Sequence, residues 1–304
     1  MTTFILLVEM IRLIMKVHSY VMETTGDSQI LPDVHNKEQM INYPDLFQLI
    51  YFLFAPTLIY KNEYPRTLKI RWSFVIKNLL QVVFTAFSAL FIIRPFLMNT
   101  YSQIGYKPIN LRHIFNIIAI AYPLGAVAIL LVFYGFFQCW CNACAELLRF
   151  ADRQFYTEWW TLKSCRDFYR NWNTIVQDWL YAYVLIPVFN LTHSKYLSNC
   201  MVLVVSAIVH EYLLAVPIQS LCPIFIVMFA VIGNIELIIN RSKMLRAFDF
   251  YNTLYFILLF IGWAIYLNLY SIEWYSRQNC PIDNPSITDY LIPRFPTCIH
   301  FTYI

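Results

Sequence analysis

Long apolar runs separated by short polar breaks dominate the chain. Residues 114–137 and 252–272 contain no Lys, Arg, Asp or Glu, and between Tyr212 and Asn240 the sole charge is Glu236. A helix needs about 20 apolar residues to cross a bilayer core, and hydrocarbon tolerates no backbone that leaves its polar groups unpaired. A shorter run, Asn78 to Ile93, fits a thin span. The pattern predicts helices over 4–21, 46–59, 74–93, 113–138, 173–190, 198–218, 221–240 and 252–273. The expected fold is all-α: one polytopic transmembrane bundle, residues 1–304, with about seven to eight membrane-embedded helices. Residues 22–44 read as a loop, and 139–178 as a charged, aromatic segment between hydrophobic blocks. No internal repeat or low-complexity tract is visible.

Composition agrees with the pattern. The chain is 59% hydrophobic and 13% charged, where a soluble domain carries about 25% charged residues. The N-terminal "MTTFILLVEMIRLIMKVHSY" has no basic region before its apolar stretch and holds Glu9, Arg12 and Lys16 within it. It reads as a tilted or partly interfacial helix rather than a cleaved signal peptide. The net charge of +4 is scattered, with no basic stripe for nucleic acid.

Sidedness follows from Lys and Arg in the loops. Segments 61–77, 139–178 and 241–252 carry thirteen, against five in 94–112 and 273–304. The first group is expected in the cytosol, which makes the C-terminal tail lumenal. Cys280 and Cys298 lie in that tail among Pro281, Pro285, Pro293 and Pro296. In an oxidising compartment they are expected to pair, the alternative being two free thiols. Closing the loop stabilises by roughly 3 kcal/mol. Cys139, Cys141 and Cys144 lack a fourth ligand at a standard metal spacing and read as small core residues, so no metal site is expected.

The stretch "VSAIVHEYLL" holds the most unusual polar pair. A charged side chain at mid-membrane costs at least ~2.5–3.5 kcal/mol. A neutral imidazole escapes most of that cost if its nitrogens find partners, and neutral is the state a general base needs. Ser206, four residues before His210, shares its helix face. A structural histidine bonded to neighbouring helices is the alternative. A zinc protease is excluded, because the second histidine position is Leu214. Glu211 points to a different face and is expected to pair within the bundle. The segment "RFADRQFYTEWWTLKSCRDFYRNWNTIVQDWLYAY" fits either an interfacial aromatic belt or recognition of a phosphate- and adenine-bearing ligand. The sequon Asn190-Leu191-Thr192 follows an embedded helix and is discounted. A transporter would need charges along several spans, and His210, Glu211 and Glu236 are nearly all there are.

Over nearly its whole length the chain resembles the sterol O-acyltransferases of the membrane-bound O-acyltransferase superfamily. The matching pieces are "YFLFAPTLIYKNEYPRTLKIRW", "CAELLRFADRQFYTEWW", "YRNWNTIVQDWLY", "VSAIVHEYLLAV" and "YSIEWYSRQNCPIDNPSITDY". The resemblance implies a multi-pass enzyme of the endoplasmic reticulum membrane, C-terminus lumenal, that moves a fatty acyl group from acyl-CoA to a sterol hydroxyl. It implies acyl-CoA as co-substrate with no permanently bound cofactor, a sterol or other lipid alcohol as acceptor, and a homo-oligomer. His210 occupies the position of the family's catalytic histidine, and the family's lumenal disulfide fits Cys280 and Cys298. On this basis Ser206 would orient the ring, while Phe155, Tyr156, Trp159 and Trp160 would line the donor passage. The family's "FYxDWWN" here reads "FYTEWWT". Glu158 replaces an Asp, and Thr161 stands at the catalytic position of the family's Asn, offering one shorter hydroxyl for an amide. Gln177 stands where sterol enzymes have His. If that Asn polarises the thioester carbonyl, its absence costs about 10²–10³ in rate. In relatives a cytosolic region and further spans precede the helix that here begins near Phe4, which implies a fragment or a truncated paralogue. The rival readings are therefore a weak or inactive relative acting in lipid binding or regulation, and an acyltransferase for diacylglycerol or a long-chain alcohol.

Overall fold

A computed structural model describes residues 2–25, 45–106, 111–161, 165–235, 251–283 and 286–298. Among them the secondary structure is helical, apart from an isolated β-bridge between Arg66 and Phe150 and a bridge residue at Ile104. Helix α1 is Thr2–Thr24 and α2 is Leu46–Phe54. The next, α3, runs Trp72–Ser88, through a π-helical turn Ala89–Ile93, to Arg94–Tyr101. Its neighbour α4 runs Leu111–Phe133, a π-helical Tyr134–Trp140 and Cys141–Leu147. Short helix α5 is Cys165–Trp172, and α6 comprises Thr174–Leu180, π-helical Tyr181–Leu185 and Ile186–Thr192. Helix α7 is Lys195–Ile218. Helix α8 covers 224–235, mostly as the π-helical Ile226–Gly233. Helix α9 is Tyr251–Asn279, and the tail carries α10, Ile287–Leu291, and α11, Phe295–Cys298. Among the described residues, four stretches are long and apolar enough to cross a membrane: Trp72–Tyr101, Phe115–Leu147, Lys195–Ile218 and Ile257–Asn279.

The boundaries differ from the sequence pattern for local reasons. Helix α2 stops at Phe54 instead of 59 because Pro56 forces Ala55 into extended backbone, φ −61° and ψ 140°. Helix α8 begins after Pro223 rather than at 221. The helix expected to end at 138 continues to Leu147, and a left-handed Arg149, φ 56°, then turns the chain. Cys139 and Cys141 are buried along that extension, and Cys144 is half-buried. Helix α1 extends three residues into the expected 22–44 loop; residues 26–44, Glu236 and residues 237–240 lie outside the described residues.

The loops gather at two ends of the bundle. At one, Thr67 N–H donates to the Arg149 carbonyl and Ala151 N–H to the Pro65 carbonyl, at 2.8 and 2.9 Å. Buried Glu146 accepts there from Arg71 and Arg153, at 2.9 and 2.6 Å. At the other end, Asn279 Nδ2 donates to the carbonyls of Ser102 and Ile104, and Leu221 N–H to the Tyr290 carbonyl. The segments 61–71 and 146–153 thus share a basic end, and 101–106 shares a tail end with 279–298. A Cys280–Cys298 disulfide closes the tail beside Gly105. In α1, Lys16 is buried and, among the described residues, makes no ion pair with a carboxylate; its Nζ donates to the carbonyls of Phe52 and Ala55 at the end of α2 and lies over the Phe52 ring. A cation at a helix C-terminus complements the carbonyl dipoles there.

Candidate active site

His210 stands eight residues before the end of α7. At 1.5 Å per residue it lies about 12 Å from the tail end and about 22 Å from Lys195, deep within the span. Its Nδ1 is 2.7 Å from the Ser206 carbonyl oxygen and 3.4 Å from Ser206 Oγ. A carbonyl only accepts, so Nδ1 carries the proton and a neutral ring presents its Nε2 lone pair. The orienting bond thus runs mainly to the Ser206 backbone, one turn below, and the Ser206 hydroxyl is secondary.

Two rings of α8 flank the half-buried imidazole. Phe225 is tilted against it at 5.3 Å and Phe229 meets it edge-on at 5.4 Å. Phe225 comes from the first turn of α8 and Phe229 from its π-helical stretch, and such stretches recur at functional sites. Glu211 leaves α7 on another face. Its buried carboxylate accepts the Phe225 N–H at 3.0 Å and the Tyr270 O–H at 3.1 Å.

The aromatic segment at the basic end packs on its own core. Phe155 and Trp159 are buried among Phe133, Phe137 and Phe168, with Trp172 packed against them. The Tyr156 hydroxyl donates to Gln138 Oε1 at 2.5 Å, and Trp160 is 50% exposed. Of the four aromatics expected to line a passage, Tyr156 and Trp160 therefore present surface, while Phe155 and Trp159 are buried in the core. Thr161 is exposed, and its hydroxyl donates to the Glu158 carbonyl at 2.9 Å. Among the described residues no hydrogen bond joins Thr161 to His210. A ring-to-ring series does connect the segment to the histidine: Trp159–Phe168, Phe168–Tyr169, Tyr169–Phe229 and Phe229–His210, at 5.8, 5.5, 5.4 and 5.4 Å.

Phe225, Phe229 and Tyr270 were not singled out from the sequence. In an apolar helix, phenylalanines four residues apart read as core, and only the "YSIEWY" piece marks Tyr270.

Residues 2–272 match the model of the membrane-bound O-acyltransferase family. The chain belongs to that family. It is 39% identical over 298 residues to Sterol O-acyltransferase 1 of Mus musculus, an alignment covering 97% of this chain and 54% of that protein. It is 33% identical over 296 residues to Sterol O-acyltransferase 2 of Homo sapiens, covering 97% and 56%. The chain spans about half the length of the curated relatives it matches. Within this family member, the segments sharing the basic end are those with most Lys and Arg, the distribution that the positive-inside rule orders by side.

Proposed function

We propose that this chain forms an acyl-transfer centre that esterifies a sterol hydroxyl with a fatty acyl group from acyl-CoA, His210 Nε2 acting as general base. The observation that carries the reading is the 2.7 Å contact of His210 Nδ1 with the Ser206 carbonyl, deep in a span and at the end of the aromatic series from the basic end; it assigns the Nδ1–H tautomer and leaves Nε2 free to accept. An acyl-CoA keeps its charged head in water and its chain in the bilayer, while the acceptor alcohol is dissolved in the membrane. A base between the two, walled by Phe225 and Phe229, excludes the water that would hydrolyse the thioester. Nε2 takes the hydroxyl proton as the oxygen attacks the thioester carbonyl carbon. The C–S bond then breaks, and the imidazolium returns the proton to the departing CoA thiolate. The basic end would face the cytosol of an endoplasmic reticulum membrane, with the disulfide-bonded tail in the lumen.

One observation favours a second reading. Thr161 is turned to the Glu158 carbonyl and offers no amide, which fits a relative whose oxyanion assistance has decayed. Transfer from labelled oleoyl-CoA to cholesterol, in membranes expressing the chain beside His210→Ala and Thr161→Asn, separates the two. Esterification abolished by His210→Ala is the expected result, and esterification that survives it overturns the assignment. Silence in the original with activity gained in Thr161→Asn selects the second reading.

A further inference from the structure

We infer that Glu211 is a positioning residue for His210: through the Phe225 backbone and the Tyr270 hydroxyl it holds the ring that fixes the imidazole. The inference rests on His210 being the base. Glu211 follows His210 on α7, so its side chain departs about 100° round the helix, too far to share the imidazole's task. Its carboxylate instead reaches the first turn of α8, accepting the Phe225 N–H at 3.0 Å, and lies 3.1 Å from the Tyr270 hydroxyl through either oxygen. The same hydroxyl is 3.3 Å from the Cys222 carbonyl, just before α8. The Phe225 ring is stacked on Tyr266 at 4.3 Å and on Tyr270 at 5.7 Å, meets Phe229 edge-on at 5.5 Å and lies against His210 at 5.3 Å. One buried carboxylate thus ties α7, α8 and α9 together at the residue that touches the base.

A buried carboxylate is a poor way to gain stability, because a well-packed apolar residue often does as well or better. What the carboxylate supplies here is geometry. Its bond goes to the backbone at an α8 N-terminus, where free N–H groups attract an anion, and that bond sets where the Phe225 ring stands. Among the described residues no hydrogen bond joins Glu211 to His210, so Glu211 acts through Phe225.

The test compares kcat and KM for oleoyl-CoA and for cholesterol, with thermal midpoints, in Glu211→Leu, Glu211→Gln, Tyr270→Phe and Phe225→Leu. Misplacement by about 1 Å costs about 100-fold in rate, so Glu211→Leu should lower kcat by about that factor with each KM within about threefold. Glu211→Gln keeps an acceptor oxygen for the Phe225 N–H and should recover to within about tenfold of the original. The Glu211→Leu/Phe225→Leu double variant should lose no more than Glu211→Leu alone, since the two act as one unit. Should Glu211→Leu fail to fold, Tyr270→Phe carries the test, with kcat about tenfold down and both KM values held. Equal loss in Glu211→Gln and Glu211→Leu, multiplying losses in the double variant, or a change confined to KM overturns the inference. If the chain turns over no substrate, the acyltransferase reading falls by itself. The clamp is then read from the rate at which diethylpyrocarbonate modifies His210: at least about tenfold faster in Glu211→Leu supports it, and an unchanged rate overturns it.

Discussion

Gly105→Ala tests how the tail end is built. Gly105 has φ +86°, and a Cβ there would lie 2.6 Å from Cys298 Sγ and 2.9 Å from Cys280 Sγ. Holding an L-residue in left-handed backbone costs about 1–2 kcal/mol. The two contacts fall well inside the ~3.5–4.0 Å of comfortable non-bonded approach, and overpacking of that kind adds about 1–3 kcal/mol. The turn cannot swing away freely, because Asn279 Nδ2 holds the Ser102 and Ile104 carbonyls at 3.0 and 2.6 Å and Ile104 is buried. The expected loss is about 3 kcal/mol, or about 6 °C in thermal midpoint for a chain of this size, measured by tryptophan fluorescence in detergent. In a C280A/C298A background the sulfur contacts are gone, and the same substitution should cost only the backbone part, about 1–2 kcal/mol. Equal losses in both backgrounds, or no loss in the first, would refute the account of this turn.

Three further outcomes follow from the packing. Glu146→Leu leaves Arg153, 16% exposed, without its carboxylate; since Arg71 is half in solvent, the loss belongs at the low end for a broken buried pair, about 3 kcal/mol, read as a lower thermal midpoint. Ser206→Ala removes only the 3.4 Å hydroxyl and keeps the 2.7 Å carbonyl on His210 Nδ1, so esterification should stay within about threefold of the original, less than a 1 kcal/mol hydrogen bond would give. Trp159→Ala should destabilise by about 3–5 kcal/mol as a large core truncation, whereas Trp160→Ala should leave the midpoint within about 1 °C and act, if anywhere, on the KM for oleoyl-CoA.

How much of this was legible depended on how local the deciding contact is. The candidate spans through 114–137 and 252–272 were readable because hydrocarbon imposes one solution on an uncharged run, whereas Lys195–Ile218, which carries Glu211, was legible only as a helix over 198–218. The stop of α2 was readable in principle from Pro56 alone. The extension of α4 through Leu147 was not, because Glu146 breaks the apolar pattern and is made buriable only by Arg71, 75 residues earlier in the chain. His210 stood out as a polar residue in an apolar helix, and its face-mate Ser206 was found by the four-residue spacing. Which atom of Ser206 mattered was a question of side-chain geometry that spacing does not answer. The rings around the imidazole were hidden for a different reason. Phe225 stands just before the π-helical stretch of α8 and Phe229 within it, and a register set by packing against α7 leaves no periodic signature in "IFIVMFAVIG".

That distribution has a physical logic for chemistry inside a membrane. The surroundings of α7 and α8 are apolar whether or not the site is intact, so burial alone gives no lateral precision to an imidazole. Precision has to come from directional bonds, and each one inside a span needs a partner close by in the fold. Here the bonds run from His210 to its own helix backbone and from Glu211 to the next helix's N-terminus. The Tyr270 hydroxyl joins the same carboxylate, and Leu221, one residue before the Cys222 carbonyl beside that hydroxyl, is tied to Tyr290 of the tail at 2.8 Å. The basic end meets the site through rings, which transmit shape and tolerate sliding. The tail end meets it through hydrogen bonds, which do not. The rigid side around His210 is therefore the tail side, and the freer side is the aromatic one.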